Sequence, residues 1–329
     1  MLKLIFTITF DLEGKSIHLN VVSIGHLLVE IMRKERDVPH DVPGVYLGPY
    51  PSAAPAIFID AVARLGESCG YIGAVGDDDF GRMLIRRLKS DGVDTKYIRV
   101  VEGYTTGINF VMYFRDGRRK FLYHIKHSAA SQLKPEDVDP EYIGGAKWLH
   151  IMGNSLAISD SLREACYKAV RCAVENGLEI GFDPNLRPEI LAVEKVKRFF
   201  DYILKVARVV LPSRKEATMI AGVTDEFEAC RRILKMGPEI VALKQGGEGC
   251  TIFTEKEEVH LPAFKVKEVD PTGAGDAFDG GFIVGLLRGW DYERAGRYAN
   301  AVGALKVTRF GPMEVPFAEE VEELLRSTT

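Results

Sequence analysis

The stretch VDPTGAGDAFDGG, residues 269–281, places Gly-Ala-Gly at positions 273–275 directly before Asp276. Apolar residues follow at roughly helical spacing from Phe282 to Leu287, so this glycine-rich turn is predicted to open a helix. The first amides of a helix lack carbonyl partners within it, and the helix dipole attracts anions to that end. Glycine lets an anion approach closely, and Asp276 can accept a proton from a nearby hydroxyl. The stretch therefore predicts an anion held beside a base.

This combination of an anion site and a base suits phosphoryl transfer to an alcohol. The amides would stabilise charge on the transferring group, while the acid orients and deprotonates the nucleophile. The turn is not a Walker A loop, because no Gly-Lys-Ser or Gly-Lys-Thr follows it. Taken alone, the stretch leaves open an alternative, a glycine-rich turn in which Asp276 only caps the helix.

The bulk composition is that of an ordinary globular protein, with 46% hydrophobic and 27% charged residues. A net charge of −4 argues against binding to nucleic acid. The five cysteines include no Cys-x-x-Cys pair, which favours a reduced, cytoplasmic chain. No run reaches the ~18 apolar residues of a membrane span, and residues 1–15 alternate like a strand rather than a signal peptide. We therefore expect no nucleic-acid or membrane partner.

Short runs rich in Val, Ile and Leu alternate with helical patterns along the chain. The predicted strands are VVSIGHLLV (21–29), CGYIGAVG (69–76), WLHIMG (148–153), EIGFDP (179–184), VVLP (209–212) and IVALKQG (240–246), and the helices include IFIDAVARLG (57–66), FGRMLIRRLKSDG (80–92), SLREACYKAVRCAVENG (161–177) and YERAGRYANAVGALKVT (292–308). This alternation predicts an α/β fold with a mostly parallel sheet covered by helices on both faces.

One segment departs from that alternation. Residues 105–125 contain two β-rich runs around Asp116-Gly117, a strong hairpin signal. A hairpin inserted in an α/β chain often covers a site, and residues 30–50 could supply the rest of a small β lid. We predict one domain over residues 1–329, with lid segments at about 30–50 and 103–127.

Two stretches resemble the signatures of the ribokinase-like (PfkB) carbohydrate kinases. DPTGAGDAFDGGF (270–282) resembles the C-terminal signature, and GAVGDDDFGRML (73–84) resembles the other, Gly-x-x-Gly-x-Asp-x-x-Gly. They occur in the family's order, and the resemblance covers nearly all of the chain from about Val21. It implies a three-layer α/β/α sandwich with about eight or nine strands, a β lid over a sugar, and ATP-dependent sugar kinase activity with Mg²⁺.

The resemblance also implies roles for residues at the phosphate end. Asp276 matches the catalytic base, and Gly273, Ala274 and Gly275 match the anion hole. Glu216 in LPSRKEAT matches the glutamate that helps to place Mg²⁺, with Ser213 where the family has asparagine. The remaining implied residues are Lys244, Gly246, Gly249, Asn185 and Asn300 for the nucleotide, and Asp270 and Thr272 for a monovalent cation such as potassium.

The sugar end matches the family less regularly. Ser52, Ala53 and Ile57 stand where the family usually has Gly-Gly-x-x-x-Asn, so the asparagine that binds the sugar is missing. Asp60, one helical turn later, is a candidate replacement, although it could equally be a surface residue of the helix. Glu30 stands where the family often has an acid that binds sugar hydroxyls.

Substrate choice depends on a second comparison with the family. FDPNLR (182–187), and Arg187 within it, resembles the segment with which 2-keto-3-deoxygluconate kinases grip the acid's carboxylate. Their second arginine is replaced here by Ile125, which favours a neutral ketohexose such as fructose or tagatose. The alternatives are a 2-keto-3-deoxygluconate kinase, a nucleoside kinase that stacks a base on Tyr104, Phe110 or Tyr113, and a non-catalytic sugar or nucleotide sensor. The exposed lid edge also predicts a homodimer.

Overall fold

The computed structural model describes residues 19–186 and 193–328. The predicted N-terminal strand and Arg187 lie outside these residues. The described strands are β1 (Val21–Ile24), β2 (Leu28–Arg33), β3 (Tyr46–Ser52), β4 (Cys69–Gly76), β5 (Val93–Val101), β6 (Gly107–Tyr113), β7 (Arg119–His124), β8 (Trp148–Met152), β9 (Glu179–Asp183), β10 (Val209–Val210), β11 (Ile240–Lys244), β12 (Cys250–Phe253) and β13 (Glu258–Leu261). The described helices are α1 (Ala54–Arg64), α2 (Asp79–Ser90), α3 (Pro140–Gly144), α4 (Asp160–Glu175), α5 (Val193–Val206), α6 (Arg214–Ala221), α7 (Glu226–Leu234), α8 (Ala274–Leu287), α9 (Tyr292–Val307) and α10 (Ala318–Ser327).

The central sheet of the described chain has nine strands in the order β13-β12-β11-β10-β9-β8-β1-β4-β5. Neighbours from β11 to β5 pair in parallel, whereas β12 pairs antiparallel with both β11 and β13. All eight residues of β4 are buried, as expected for a strand whose sheet is covered by helices on both faces. The predicted α/β sandwich with a mostly parallel sheet is confirmed.

A second, four-stranded sheet has the order β3-β2-β6-β7 and contains strands from both segments predicted to form a lid, so we call it the lid sheet or lid. Strands β6 and β7 pair antiparallel from Ile108 opposite His124 to Tyr113 opposite Arg119. The turn between them contains Asp116 and Gly117, and Gly117 has a φ of 86° that glycine adopts without strain. The hairpin predicted from this dipeptide is confirmed.

The predicted single strand over residues 21–29 is wrong, because the structure divides it into β1 and β2. Strand β1 ends in the central sheet at Ile24, and β2 starts at Leu28 in the lid. Between them, a Cβ on Gly25 would lie 2.6 Å from the Ser155 hydroxyl and 2.7 Å from Pro55. The chain therefore passes through a narrow gap as it changes sheets. The uniformly apolar run gives no sign of this break.

The signature at residues 73–84 links the start of α2 to the residues directly before β6 of the lid. Asp78 caps α2 by accepting a hydrogen bond from the Gly81 amide at 2.8 Å. The same carboxylate accepts from the Thr106 amide and hydroxyl, both at 2.7 Å, directly before β6 begins. A Cβ on Gly81 would lie 2.2 Å from the Gly76 carbonyl, so this position needs glycine. The motif therefore fixes where the lid hairpin leaves the sandwich.

The five cysteines are unpaired and buried. None of the helices in the described part of the chain combines the length and apolarity needed to cross a bilayer.

Candidate active site

A cavity of about 750 Å³ lies between the carboxyl ends of the central strands and the lid. This is where open α/β sheets bind ligands, and the volume suits two small molecules held end to end. The structure brings to this cavity most of the residues that the sequence singled out, namely Glu30, Ser52, Ala53, Asn185, Ser213, Glu216, Lys244, Gly246, Gly249, Thr272, Gly273, Ala274, Gly275, Asp276 and Asn300.

The glycine-rich turn opens α8 in the way the sequence predicts. Gly273 is the N-cap, with a left-handed φ of 83°, and a Cβ there would lie 2.3 Å from the Pro312 carbonyl. The first helical hydrogen bond runs from the Ala277 amide to Gly273 O at 2.9 Å. The amides of Gly275 and Asp276 precede it, at the positive end of the helix dipole. This end of the cavity can therefore hold an anion.

Two asparagines hold the carboxylate of Asp276. Asn185 Nδ2 donates to Asp276 Oδ1 at 3.2 Å, and Asn154 Nδ2 donates to Asn185 Oδ1 at 3.3 Å. Asn185 has a left-handed φ of 39°, and its backbone amide donates to Asp183 Oδ1 at 2.8 Å. The sequence predicted a nucleotide contact for Asn185, whereas the structure places it where it orients Asp276. Asn154 carried no sequence signal, because only the fold brings the end of β8 beside that of β9.

A buried lysine and two aspartates lie below the glycine-rich turn. Lys244 Nζ donates to Asp183 at 2.8 Å and to Asp279 at 3.0 Å. A Cβ on Gly275 would lie 3.6 Å from this ammonium, so the positive charge sits directly beneath the turn. The sequence predicted that Lys244 contacts the nucleotide, which stays a prediction. The structure shows that Asp183 and Asp279 hold its ammonium in one position. Asp279 was missed, although it follows Asp276 by one helical turn inside the signature.

Burial and the neighbouring charges shift the pKa of each of the three side chains in this cluster. Burial opposes the charge on Lys244, but the two carboxylates outweigh it and raise the pKa of the lysine. Burial likewise opposes the charge on Asp183, but Lys244 holds the pKa of that carboxyl below its usual value. Burial raises the pKa of Asp279 well above its usual range. The cluster therefore favours an ionised Lys244 and an ionised Asp183, and Asp279 is the carboxyl in it whose burial most favours the protonated form.

Glu216 is the acidic side chain at the start of α6. Its Oε2 accepts from the amide and the hydroxyl of Ser213, both at 2.7 Å, and its Oε1 accepts from the Leu186 amide at 2.8 Å. Among the described residues there is no group of three or more His, Cys, Asp or Glu that could cage a metal. Mg²⁺ prefers to keep its waters and to bind one or two carboxylates plus phosphate oxygens. Glu216, beside the anion site, fits that kind of binding.

Two further segments line the cavity, the turn between β11 and β12 and the residues that follow β13. Gly246 and Gly249 have φ values of 59° and 104°, and a Cβ on Gly249 would lie 2.0 Å from the Leu261 carbonyl. Asn300 Nδ2 donates to that carbonyl at 3.0 Å and to Pro262 O at 3.3 Å. Asn300 therefore fastens the segment after β13 while it lines the cavity.

The lid end of the cavity is built from one row of residues across three strands. The register places Glu30 opposite Asn109, and Asn109 opposite Tyr123. Asn109 Nδ2 donates to Glu30 Oε1 at 3.1 Å, while Glu30 Oε2 and Asn109 Oδ1 have no hydrogen-bond partner. Burial raises the pKa of Glu30 to about 7, although Asn109 and Arg119 oppose the rise. Asn109 and Arg119 were missed because pairing between strands, not spacing, brings them to Glu30.

The turn that leads into α1 explains the unusual residues at the sugar end. Ala53 has a φ of 111°, a conformation that favours glycine, which is the residue the family usually has there. Ile57 lines the cavity with an apolar side chain. Asp60 is not a substitute for the missing asparagine, and that prediction is wrong. Its buried carboxylate pairs with Arg64 at 3.5 Å and Arg87 at 3.3 Å, away from the cavity.

The predicted potassium site does not fit the groups that are present. Asp270 Oδ1 accepts from the Thr272 amide at 3.0 Å, and Oδ2 accepts from the Gly311 amide at 3.0 Å. The Asp270 carbonyl accepts from Lys306 Nζ at 2.9 Å, and the Thr272 hydroxyl accepts from Arg119 at 3.1 Å. Two cationic side chains therefore already bind these residues, and the prediction is corrected.

Comparison with known proteins agrees with this geometry. The profile described as pfkB family carbohydrate kinase matches residues 20–318. A 2-dehydro-3-deoxygluconokinase from Thermoproteus tenax is 34% identical over 285 residues, which are 86% of this chain and 87% of the relative. Fructokinase-1 from Oryza sativa subsp. japonica is 31% identical over 323 residues, which are 93% of this chain and 98% of the relative.

A solved structure from E. coli, a candidate ribokinase II in complex with ATP and Mg²⁺, is 41% identical and superposes with a TM-score of 0.88. The match covers 94% of this chain and 99% of the other. The predicted ribokinase-like fold is thereby confirmed. The chain belongs to the pfkB family of carbohydrate kinases and is an ATP-dependent sugar kinase.

Proposed function

We propose that the sugar is a neutral ketohexose of the fructose or tagatose type. The observation that carries this proposal is a set of three buried acceptor atoms without partners, Glu30 Oε2, Asn109 Oδ1 and Asn154 Oδ1. All three residues line the cavity. A buried acceptor without a partner is costly, and the hydroxyls of a sugar can donate to each of them. The carboxylate of a sugar acid has no proton to donate to these three acceptor atoms. The acceptors therefore favour a neutral sugar with several hydroxyls over a sugar acid.

In the proposed reaction, Asp276 takes the proton of a sugar hydroxyl as that oxygen forms its bond to the γ-phosphorus. The bond to the bridging oxygen breaks, and ADP leaves with that electron pair. Asn185 keeps Asp276 Oδ1 in place at 3.2 Å, and the amides of Gly275 and Asp276 hold charge on the transferring group. Mg²⁺ beside Glu216 would neutralise charge on the phosphates. The lid would exclude water, which limits ATP hydrolysis.

A 2-keto-3-deoxygluconate kinase is the second candidate, and Arg119 is the observation that favours it. Arg119 lines the lid end and could attract a sugar carboxylate. However, Arg119 already donates to Thr272 at 3.1 Å, and Glu30 would repel an acid. Ile125, at the position of the second arginine, is buried and uncharged. These contacts support the neutral sugar.

The other two alternatives have less support. Tyr104, Phe110 and Tyr113 do not line the cavity, so the stacking proposed for a nucleoside base would need Phe121 and Tyr123 instead. A sensor without turnover would have no use for a carboxylate that is oriented by two asparagines beside an anion site.

The test is a coupled assay of ADP release with purified wild-type protein. The panel contains fructose, tagatose, 2-keto-3-deoxygluconate, adenosine, inosine and cytidine, and the matched variants are Glu30→Gln and Arg119→Met. We expect the highest kcat/KM with a neutral ketohexose, and Glu30→Gln should raise its KM by about 10-fold, as expected for a charged hydrogen bond. Preference for 2-keto-3-deoxygluconate, lost in Arg119→Met, would refute the neutral sugar. Absence of ADP release with every sugar would favour the sensor.

The homodimer predicted from the lid edge extends this proposal. Strand β7 is an edge of the lid sheet, and Leu122 on it is 44% exposed. Edge strands with apolar side chains invite pairing. Light scattering on the wild type and Leu122→Lys would test it, since a dimer formed through β7 should dissociate in the variant.

A further inference from the structure

A lysine on α9 carries its ammonium into a fully buried position. Lys306 has no exposed surface, and its Nζ donates to the carbonyl of Asp270 at 2.9 Å and to that of Arg309 at 3.4 Å. A buried ammonium is strongly unfavourable unless polar groups replace its water. Here the replacement consists of backbone carbonyl oxygens, which are also the atoms that commonly coordinate a monovalent metal ion.

These two carbonyls belong to the two segments that shape the anion site. Asp270 lies three residues before Gly273, the N-cap of α8. The second segment continues from Arg309 to Gly311 and Pro312, and Gly311 donates its amide to Asp270 Oδ2 at 3.0 Å. The Pro312 carbonyl packs directly against Gly273. The ammonium of Lys306 therefore fastens the segment before the anion site to the segment that packs against it.

The charges around Lys306 favour its ionised form near neutral pH. Burial lowers the pKa of Lys306 to about 8, and the nearby acids Asp270, Glu314 and Glu30 oppose that effect. Arg119 acts in the same direction as burial. A pKa of about 8 leaves most of the amine protonated at neutral pH.

We infer that the Lys306 ammonium is a covalently attached monovalent cation that holds the anion site in its working shape, so that the kinase needs no dissociable potassium ion. Lys306 is a positioning residue, because it acts through the peptide run 270–273 and not on the substrates. The inference uses the kinase activity of the family and is independent of which sugar is phosphorylated.

The first test uses the wild-type protein. Turnover with the best sugar of the panel is measured in KCl and in tetramethylammonium chloride at equal ionic strength. We expect the two rates to agree within about twofold, because no cation has to bind before the loop is ordered. Activation by K⁺ of about 10-fold or more would overturn the inference, since it would require a dissociable ion.

The second test removes the ammonium. Lys306→Ala should lose about 100-fold in kcat when K⁺ is absent, as expected for a displaced reacting group, with little change in the KM for ATP. KCl or NH₄Cl should restore kcat by about 10-fold or more by filling the vacated position, whereas tetramethylammonium is too large to do so. A loss that neither salt reverses would indicate a merely structural lysine and would overturn the inference.

Lys168 offers a matched control. Its Nζ also donates to two carbonyls, those of Pro135 at 2.8 Å and Val138 at 2.9 Å, and neither of these residues lines the cavity. Lys168→Ala should lose comparable contacts and show no K⁺-dependent change in kcat. A K⁺ response equal to that of Lys306→Ala would overturn the inference.

A third measurement does not depend on turnover. The melting temperature of Lys306→Ala should rise by several degrees more in KCl than in tetramethylammonium chloride, because a bound ion stabilises the folded state. Wild type and Lys168→Ala should not distinguish the salts, and a similar rise in all three proteins would contradict a vacated ion site. If Lys306→Ala does not fold, the wild-type comparison of salts still decides. If no ketohexose is phosphorylated, the melting measurement remains valid, so the two proposals fail separately.

Discussion

The two ends of the cavity are built in different ways. At the phosphate end, Gly273 to Asp276 are consecutive residues, and the first turn of α8 presents them together. At the lid end, Glu30, Asn109 and Tyr123 come from β2, β6 and β7 and meet only through strand register. The glycine-rich turn and Asp276 are therefore encoded by local sequence, whereas the lid end is assembled only by tertiary structure.

The electrostatics of the two ends also differ. Lys244 at the phosphate end is balanced by Asp183 and Asp279, so its buried charge has complete partners. Glu30 at the lid end has one oxygen without a partner, and burial raises its pKa to about 7. The buried charge at the phosphate end is therefore paired within the protein, whereas the lid end keeps an acceptor oxygen that the proposed sugar could satisfy.

The largest expected effect tests the phosphate end. Asp276→Asn should reduce kcat by about 10² to 10⁴-fold, because the amide cannot accept the proton of the acceptor hydroxyl. The KM of the sugar should change far less. Stopped assays of ADP release would measure both parameters, and Asp201→Asn, which removes an exposed partner of Lys197, is the control. A kcat within tenfold of the wild type would exclude Asp276 as the base.

The next effect compares two acids within the buried cluster. Asp183→Asn removes the ionised partner of Lys244 and should lower the free energy of unfolding by about 3 kcal/mol. Asp279→Asn should cost about 1 kcal/mol or less, because burial favours the protonated form of that carboxyl and asparagine resembles the neutral acid. Urea denaturation at neutral pH would measure the difference. Equal losses in the two variants would contradict the opposite directions of the two pKa shifts.

A pH-dependent effect tests the lid end. The pKa of Glu30 rises from 4.5 to about 7 on folding, so the native state holds a proton that the unfolded state releases. The stability contributed by this proton is complete below pH 4.5 and is lost as the pH rises through 7. As the pH rises from 5 to 8, the free energy of unfolding of Glu30→Gln should increase by about 2 to 3 kcal/mol relative to that of the wild type.

Chemical denaturation across that pH range would measure the free energies of both proteins. The exposed Glu175, paired with Arg171 on α4, supplies the control variant Glu175→Gln. A constant difference between Glu30→Gln and the wild type would mean that Glu30 titrates normally.

The smallest effect on activity concerns the residue that the sequence misplaced. Asp60→Asn should leave the KM of the sugar within about twofold of the wild type, because Asp60 faces Arg64 and Arg87 and makes no contact with the cavity. Ser52→Ala, at the cavity wall, should raise that KM more. Steady-state kinetics of both variants would decide, and the opposite order would return Asp60 to the sugar site.

Local patterns predicted much of the fold and nearly all of the phosphate end. Strand β4 at Cys69–Gly76 and the start of α8 follow from apolar runs and glycine positions, which act over a few residues. The break at Gly25 was missed because it depends on close approach of Ser155, which is distant in sequence. Asp60 was assigned to the wrong site because helical spacing predicts which side chains share a face of α1 but not which element packs against that face. The structure places Arg87 of α2 there, where it pairs with Asp60.

The residues missed at the site share one property. The significance of each comes from a partner at least 35 residues away in the sequence that only the fold brings close; these residues are Asp279, Asn109, Arg119 and Lys306, with the partners Lys244, Glu30, Thr272 and Asp270. A buried lysine in an apolar helical run was the one available signal for Lys306, because long charged side chains are rarely buried without partners.

The row formed by Glu30, Asn109 and Tyr123 has a consequence for how the enzyme could acquire a new acceptor. Each member comes from a different strand, so replacing one side chain alters a single contact and leaves the backbone pairing of the lid intact. Helix α8 and Asp276, the proposed base, lie outside the row. A directed-evolution library restricted to these three codons could therefore redirect the choice of alcohol without rebuilding the transfer chemistry.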